Sequence, residues 1–213
     1  MLRLILLALA GSLYALLAAA LPFPVSVTRP RFNYNESALR KRANPCFVTG
    51  SVALAKEVAD SLPALESTVT CVSGVEVAPG VPDVTSGGIK FSSIDFRKAA
   101  GVSPLGFALK TFTTPDDPAD ADLNTLQSQL NDYLAFEAGV RSQPGTSALL
   151  GQLKGPKFFL QFQIARVQTA QGASEAQLGA AGTVEHQLGK VVKNAVGASK
   201  AEIDAVNALA TQV

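Results

Sequence analysis

The chain has 213 residues, of which 47% are hydrophobic, and a net charge of +1. From Ala43 to Val213 it carries 12 Lys and Arg against 16 Asp and Glu, a net charge of −4. A mildly acidic chain is poorly suited to neutralising phosphates, so no nucleic-acid partner is expected. The phosphate-loop, dinucleotide-binding and zinc-protease motifs are absent from the sequence, so no cofactor is predicted.

The first twenty residues have the order of a secretory signal peptide. Arg3 precedes an apolar run from Leu4 to Ala10, and the small residues 18–20 precede Leu21. This order predicts cleavage after Ala20. A membrane anchor is the alternative, but the apolar run is shorter than the roughly 20 residues that a spanning helix needs. We therefore expect a secreted, extracellular protein with no membrane segment after cleavage.

Residues 21–42 have the character of a pro-segment. The stretch is rich in proline and basic residues and ends in the dibasic pair Lys41-Arg42, which is typical of sites cut by subtilisin-like processing proteases. Asn35 heads a glycosylation sequon in the same stretch and would be removed with it. Residues 43–213 remain, a length that suits a single globular domain.

The two cysteines, Cys46 and Cys71, both follow the signal peptide. An oxidising export route favours a disulfide between them. The bond would close a 26-residue loop, worth about 3 kcal/mol in loop-closure entropy. A structural zinc site is not expected, because the chain has one histidine and no third cysteine.

The first part of the domain is predicted to contain one helix and a small antiparallel sheet. Apolar spacing indicates a helix from Val52 to Leu62, ended by Pro63. The β-branched run 68–72 indicates a strand, and so do Ile89 to Phe96, with a bulge, and Leu105 to Phe112. Turn residues separate these strands at 79–83 and 86–88.

The second part is predicted to be helical, so the fold class is α+β. A long helix runs from about Ala119 to Arg141, and its acidic N-terminus suits the helix dipole better than a calcium loop. Residues 157–172 alternate like a strand in their first half, but Pro156 before them and Gly172 at their end favour a mostly buried helix. Two amphipathic helices near 183–196 and 199–210 complete the chain.

Few residues carry recognisable catalytic chemistry. No G-x-S-x-G motif is present, and the only histidine, His186, is predicted to lie on a solvated helix face. Paired carboxylates can hydrolyse glycosidic bonds without a local motif, and Asp95 and Glu137 are candidates. No catalytic residue is assigned.

The strongest site candidate is a charged pair on an apolar helix stripe. At 100° per residue, Glu137 and Arg141 continue the stripe formed by four leucines of the long helix. A charge in line with a core face must be paired or functional. Glu137 and Arg141 therefore form either a structural ion pair or, with Gln163 and Arg166, a polar pocket for a small anionic or hydroxylated ligand.

Four sequence motifs give the chain a family resemblance. They are Asn44-Pro45-Cys46-Phe47-Val48-Thr49-Gly50, Gly88-Ile89-Lys90-Phe91-Ser92, Tyr133-Leu134-Ala135 with Glu137-Ala138-Gly139 and Arg141-Ser142, and Pro156-Lys157-Phe158-Phe159-Leu160-Gln161-Phe162-Gln163. With these motifs the chain resembles a family of small secreted fungal proteins of unknown function. The resemblance implies secretion and a single domain, and it implies no reaction.

The sequence therefore favours a non-catalytic extracellular protein with a binding or structural role. A cell-wall component or a small ligand is the partner class that suits this interpretation. The alternative is a carboxylate-dependent hydrolase that acts on an extracellular polymer.

Overall fold

The computed structural model describes residues 44–213. The predicted signal peptide, the pro-segment with Asn35, and the dibasic pair Lys41-Arg42 lie outside the described residues. The described part has the expected α+β fold, a small antiparallel sheet followed by a helical half.

The N-terminal part combines one helix with three strands. Helix α1 spans Lys56–Thr68, and the strands are β1 (Thr70–Ala78), β2 (Val81–Ser86) and β3 (Ile89–Lys90). They pair antiparallel in the order β1-β2-β3. The predicted disulfide is present: Cys46 and Cys71 are bonded, with their Cα atoms 6.1 Å apart. The bond ties β1 to the segment that precedes α1.

Several of the predicted boundaries in this part are wrong, and α1 begins at Lys56, not at Val52. Pro63 lies inside α1 and does not end it, because the proline removes only one helical hydrogen bond and the helix continues around it. The predicted strand from Ile89 to Phe96 is reduced to β3, and 3-10 turns follow at Phe91–Ser93 and Phe96–Lys98. Strand β2 occupies a segment whose residues predict turns.

The predicted strand from Leu105 to Phe112 is a helix, α2, at Pro104–Thr111. Its start is a conventional helix N-terminus: the Ser103 side chain accepts a hydrogen bond from the Gly106 amide, and Pro104 occupies the first helical turn. Local capping therefore outweighs the β-propensity of the two phenylalanines in this segment.

The C-terminal half consists of five helices. These are α3 (Leu123–Ser142), α4 (Ser147–Ala170), α5 (Glu175–Leu178), α6 (Val184–Lys193) and α7 (Lys200–Ala210). The segment 157–172 is helical, as favoured, but α4 begins ten residues earlier and Pro156 lies within it. Among the helices of residues 44–213, none is long and apolar enough to cross a membrane.

The core lies where α3 and α4 pack against each other and against the sheet. Tyr133, Phe136, Phe159 and Phe162 are completely buried there, and Phe91 stacks on Phe136 with ring centroids 4.0 Å apart. The N-terminal segment approaches α3 closely. A Cβ at Gly139 would lie 2.7 Å from the Phe47 carbonyl oxygen, so glycine allows this contact.

Candidate functional site

Glu137 lies at the centre of a buried ion-pair network between α3 and α4. Its side chain is 5% exposed. Its Oε1 accepts hydrogen bonds from Arg141 Nη2 at 2.8 Å and Nε at 3.1 Å, and its Oε2 accepts one from Lys157 Nζ at 2.7 Å. The i,i+4 spacing on α3 places Arg141, and the packing of α4 on α3 places Lys157. Both oxygens of the carboxylate are thus bound by cations of the same chain.

Helix α6 adds a third cation. Lys190 Nζ donates to Gln161 Oε1 at 2.7 Å and lies 4.5 Å from the centroid of the Phe158 ring. Lys157 Nζ lies 4.6 Å from the same centroid. Partial burial lowers the pKa of Lys190, the charge of Lys157 lowers it further, and Glu137 opposes both effects.

We call this group the basic cluster: Glu137, Arg141, Lys157, Phe158 and Lys190. It contains three cations and one carboxylate, so it has an excess of positive charge. Cation–π contacts with the ring compensate part of that excess. The cluster can attract an anion, because an added negative charge would offset the repulsion between Lys157 and Lys190.

The cluster borders a shallow surface depression of about 510 Å³. Lys190 forms part of its wall, and Lys193, His186, Thr183 and one carboxylate, Glu185, are also in the lining. His186 is exposed, as predicted from its place on the helix. The depression gives a ligand at Lys190 room to extend along α6.

Gln163 and Arg166 form a separate cluster. Each is 1% exposed. Gln163 Nε2 donates to the Phe112 carbonyl at 2.7 Å, and Arg166 donates from Nη1 to Gln163 Oε1 at 2.5 Å and from Nη2 to the Gln212 carbonyl at 2.8 Å. Burial lowers the pKa of Arg166. These contacts hold the chain after α2 and the residues after α7 against α4.

The four predicted ligand-binding residues therefore do not meet in one pocket. Lys157, which binds Glu137, and Arg166 are nine residues apart on α4, about 13 Å along the helix axis. Within residues 44–213, no hydrogen bond or ion pair joins the two groups. Helical spacing within α3 predicted the Glu137–Arg141 pair, but it does not determine which face of α4 packs against that pair.

Asp95 and Glu137, the candidate carboxylate pair, also belong to different networks. Asp95 is 5% exposed and forms an ion pair with Arg97, whose Nη2 lies 2.7 Å from Asp95 Oδ2. Its Oδ1 accepts from the Arg97 amide and caps a 3-10 turn. Each carboxylate is thus engaged by its own cations.

Two buried carboxyl groups that the sequence did not single out are Asp132 and Asp83. Asp132 is 0% exposed, and neither of its oxygens has a hydrogen-bond partner within normal geometric limits. Burial first, and the charge of Asp83 second, raise the pKa of Asp132 to about 8, although the nearby Ser86 amide favours the ionised form. Asp132 precedes Phe136 and Val140 at helical spacing on α3. This spacing puts Asp132 in line with buried apolar residues, and it was the sequence signal that could have indicated a buried carboxyl group at this position.

The described residues thus belong to the class of disulfide-linked α+β domains, with the buried carboxyl groups Asp83 and Asp132 and one partly exposed basic cluster. A family profile described as a domain of unknown function, DUF7143, matches residues 48–213. The chain belongs to that family. No curated protein and no solved structure matches the chain.

Proposed function

We propose that this is a secreted, non-catalytic extracellular protein that binds an acidic saccharide at the basic cluster. The order of residues 1–20 supports export. The Cys46–Cys71 bond supports maturation in an oxidising compartment.

The observation that carries the binding function is the charge imbalance around Glu137. Arg141 and Lys157 bind this carboxylate directly, and Lys190 interacts with it at longer range. The single carboxylate of Glu137 thus has three cationic side chains around it. Arg141, with 28% of its side chain exposed, remains accessible to solvent. A ligand carboxylate beside Lys190 would add a second negative charge to the cluster without displacing Glu137.

The surroundings favour a saccharide over a bare ion. The Gln161 amide lies beside Lys190, and Thr183, whose hydroxyl caps α6, is in the lining of the adjacent depression. Such groups pair with sugar hydroxyls, while lysine and arginine pair with the carboxylate of a uronic acid. A uronic-acid oligomer of a cell wall meets both requirements.

Titration calorimetry with an oligogalacturonate tests this proposal. We expect binding that weakens with salt, no binding of a neutral glucose oligomer of the same length, and a loss of at least tenfold in Lys190→Gln. Lys56→Gln is the matched control: this lysine lies on α1, is 85% exposed in its side chain, and also forms an ion pair. Equal losses in the two variants would show non-specific charge attraction, and no binding by the native protein would refute the proposal.

The processing part is tested by intact mass and N-terminal sequencing of protein from culture medium. We expect the secreted chain to begin at Ala43, with residues 1–42 and any glycan on Asn35 removed. A start before Ala43 that retains Lys41-Arg42 would contradict the pro-segment. Protein held inside cells with its leader attached would contradict export.

The second candidate, a carboxylate-dependent hydrolase, is favoured by one observation. Raised carboxyl pKa values, such as that of Asp132, cluster at catalytic sites. However, Asp132 and Asp83 are 0% and 1% exposed, so a polymer cannot reach them in this conformation. Polymer hydrolysis by the native protein that disappears in a folded Asp132→Asn variant would establish the hydrolase over the binding protein.

A further inference from the structure

Asp132 lies where α3 meets the C-terminal end of β2. Next to it, Asn131 Nδ2 donates to Ser86 Oγ at 3.4 Å. One residue beyond β2, a Cβ on Gly87 would lie 2.3 Å from Ser128 Oγ, so the turn after β2 rests directly on α3. Asp132 is therefore enclosed in the joint between the sheet and the helical half.

The two carboxyl groups in this joint differ in their partners. Asp83 Oδ1 accepts hydrogen bonds from the Val84 and Ser92 amides, each at 3.0 Å, and backbone amides stabilise a charged carboxylate. Neither oxygen of Asp132 makes a hydrogen bond of normal geometry, and the nearby Ser86 amide offsets only part of the effect of burial. A buried carboxylate without hydrogen bonds is strongly disfavoured in its ionised form. When two acids share such a site, one of them keeps a proton.

No cation of the described residues neutralises the pair. On the elements around the joint, Arg97 is bound to Asp95, Lys98 to the Ser92 carbonyl, and Lys157 to Glu137, while Lys90 is exposed. Asp83 is the charged group whose field acts on Asp132. A proton on Asp132 is thus the simplest way to remove its uncompensated charge.

A metal ion fits the joint less well. Within residues 44–213, no group of three or more His, Cys, Asp or Glu side chains converges as a metal site. Hard cations such as calcium take six to eight oxygen ligands. A proton bound to a carboxyl group needs no such set of ligands and no cavity.

We propose that Asp132 is held in its protonated form where α3 meets the sheet, and that this one proton acts as a lock: it keeps the joint closed, and alkaline pH releases it.

The direction of the pH effect follows from linkage. The pKa of Asp132 is raised from 3.8 to about 8, so between these values the folded chain keeps a proton that the unfolded chain has lost. The stabilisation is complete below about pH 4 and is lost as the pH rises through 8. The joint is tightest in an acidic medium.

Chemical denaturation of the native chain and of Asp132→Asn at pH 5, 7 and 9 tests the lock. For the native chain, the unfolding equilibrium constant should rise on the order of 100-fold or more between pH 5 and 9. The asparagine side chain has no carboxyl to ionise, so the variant should lose most of this dependence and be the more stable of the two at pH 9. An unchanged pH dependence in Asp132→Asn would overturn the proposal.

Two further measurements keep the test decisive if Asp132→Asn folds poorly. The native protein at pH 6 should show the infrared carbonyl band of a protonated carboxyl, and absence of that band would overturn the lock. Asp83→Asn removes the neighbouring charge, so it should lower the pKa of Asp132 and reduce the loss of stability between pH 5 and 9; an unchanged or larger loss would count against the lock. Calcium that stabilises the native protein at pH 9, but not Asp132→Asn, would replace the proton with a cation and also overturn the proposal.

Discussion

The disulfide-linked segment and the α3–α4 pair are stabilised in different ways. In α1, one of 13 residues, Leu65, is buried, whereas 12 of the 24 residues of α4 are buried. Strand β1 has no fully buried residue. The helix pair is held by apolar packing along its whole length. The N-terminal segment combines a covalent bond with the burial of Phe47, Val48, Leu65 and Val69. Fewer buried residues thus suffice where the chain is cross-linked.

Truncating a core side chain should lower the free energy of unfolding the most, and far more in the α3–α4 pair than in α1. Phe136 is completely buried, stacks on Phe91 and has the Arg97 guanidinium 5.0 Å from its ring centroid. We expect Phe136→Ala to lower the free energy of unfolding by about 3–5 kcal/mol. Val58→Ala, at a half-buried position on α1, should cost about 1 kcal/mol or less. Equal losses in urea denaturation would contradict the comparison.

Loss of the disulfide should come next. Replacing Cys46 and Cys71 by serine should cost about 3 kcal/mol, because the cross-link spans 25 residues of separation. Hydrogen exchange should accelerate more in α1 and β1 than in α4, and the native protein under reducing conditions should behave like the double variant. Equal acceleration in α4 would show that the bond supports the whole fold.

Glu137→Gln, which removes the carboxylate charge, should lower the free energy of unfolding by about 2 kcal/mol, an intermediate effect. In Glu137→Gln the ammonium of Lys157, with 10% of its side chain exposed, loses its counter-ion. Glu137→Gln combined with Lys157→Met should recover part of the loss, because the uncompensated charge is also removed. A double variant no better than the single one, in the same denaturation experiment, would contradict a role for that charge.

The sequence predicted those elements whose signals are local. The helices α3, α6 and α7 followed from apolar spacing, and the disulfide followed from having only two cysteines. Strand β2 was missed because Pro82, Asp83 and Ser86 resemble turn residues. In the fold, β2 pairs on both sides, and Pro82 lies opposite Glu76 where the register with β1 shifts. Pairing between strands is a tertiary effect that local propensity does not contain.

The residues of the candidate site were likewise predictable only where they lie close together in the sequence. The Glu137–Arg141 pair was predictable from its i,i+4 spacing within one helix. Lys157 and Lys190 reach the cluster from α4 and α6, so their positions depend on how the helices pack. The predicted pocket also needed Gln163 and Arg166 to face Glu137, but the direction of each residue on α4 depends on the neighbouring helices, and the structure places these two in a separate cluster.

The smallest expected effect concerns the contact between α2 and α7. Ser103 caps α2 and its hydroxyl also donates to Glu202 Oε1 at 3.0 Å, while Glu202 belongs to the capping box of α7. Ser103→Ala should cost about 1 kcal/mol, and Ser174→Ala, at the exposed cap of the short helix α5, should cost less.

The pH dependence of that cost separates the cap from the contact between the helices. Burial acts to raise the pKa of Glu202, but hydrogen bonds from Ser199 and Ser103 and the charge of Lys110 outweigh it, so the pKa is lowered from 4.5. The stability that Glu202 contributes is present above pH 4.5 and is lost as the pH falls through the lowered value. The cost of Ser103→Ala should therefore be smaller at pH 3 than at pH 6. A cost that is the same at both pH values would assign the whole effect to the cap of α2, because the Gly106 amide bond does not titrate.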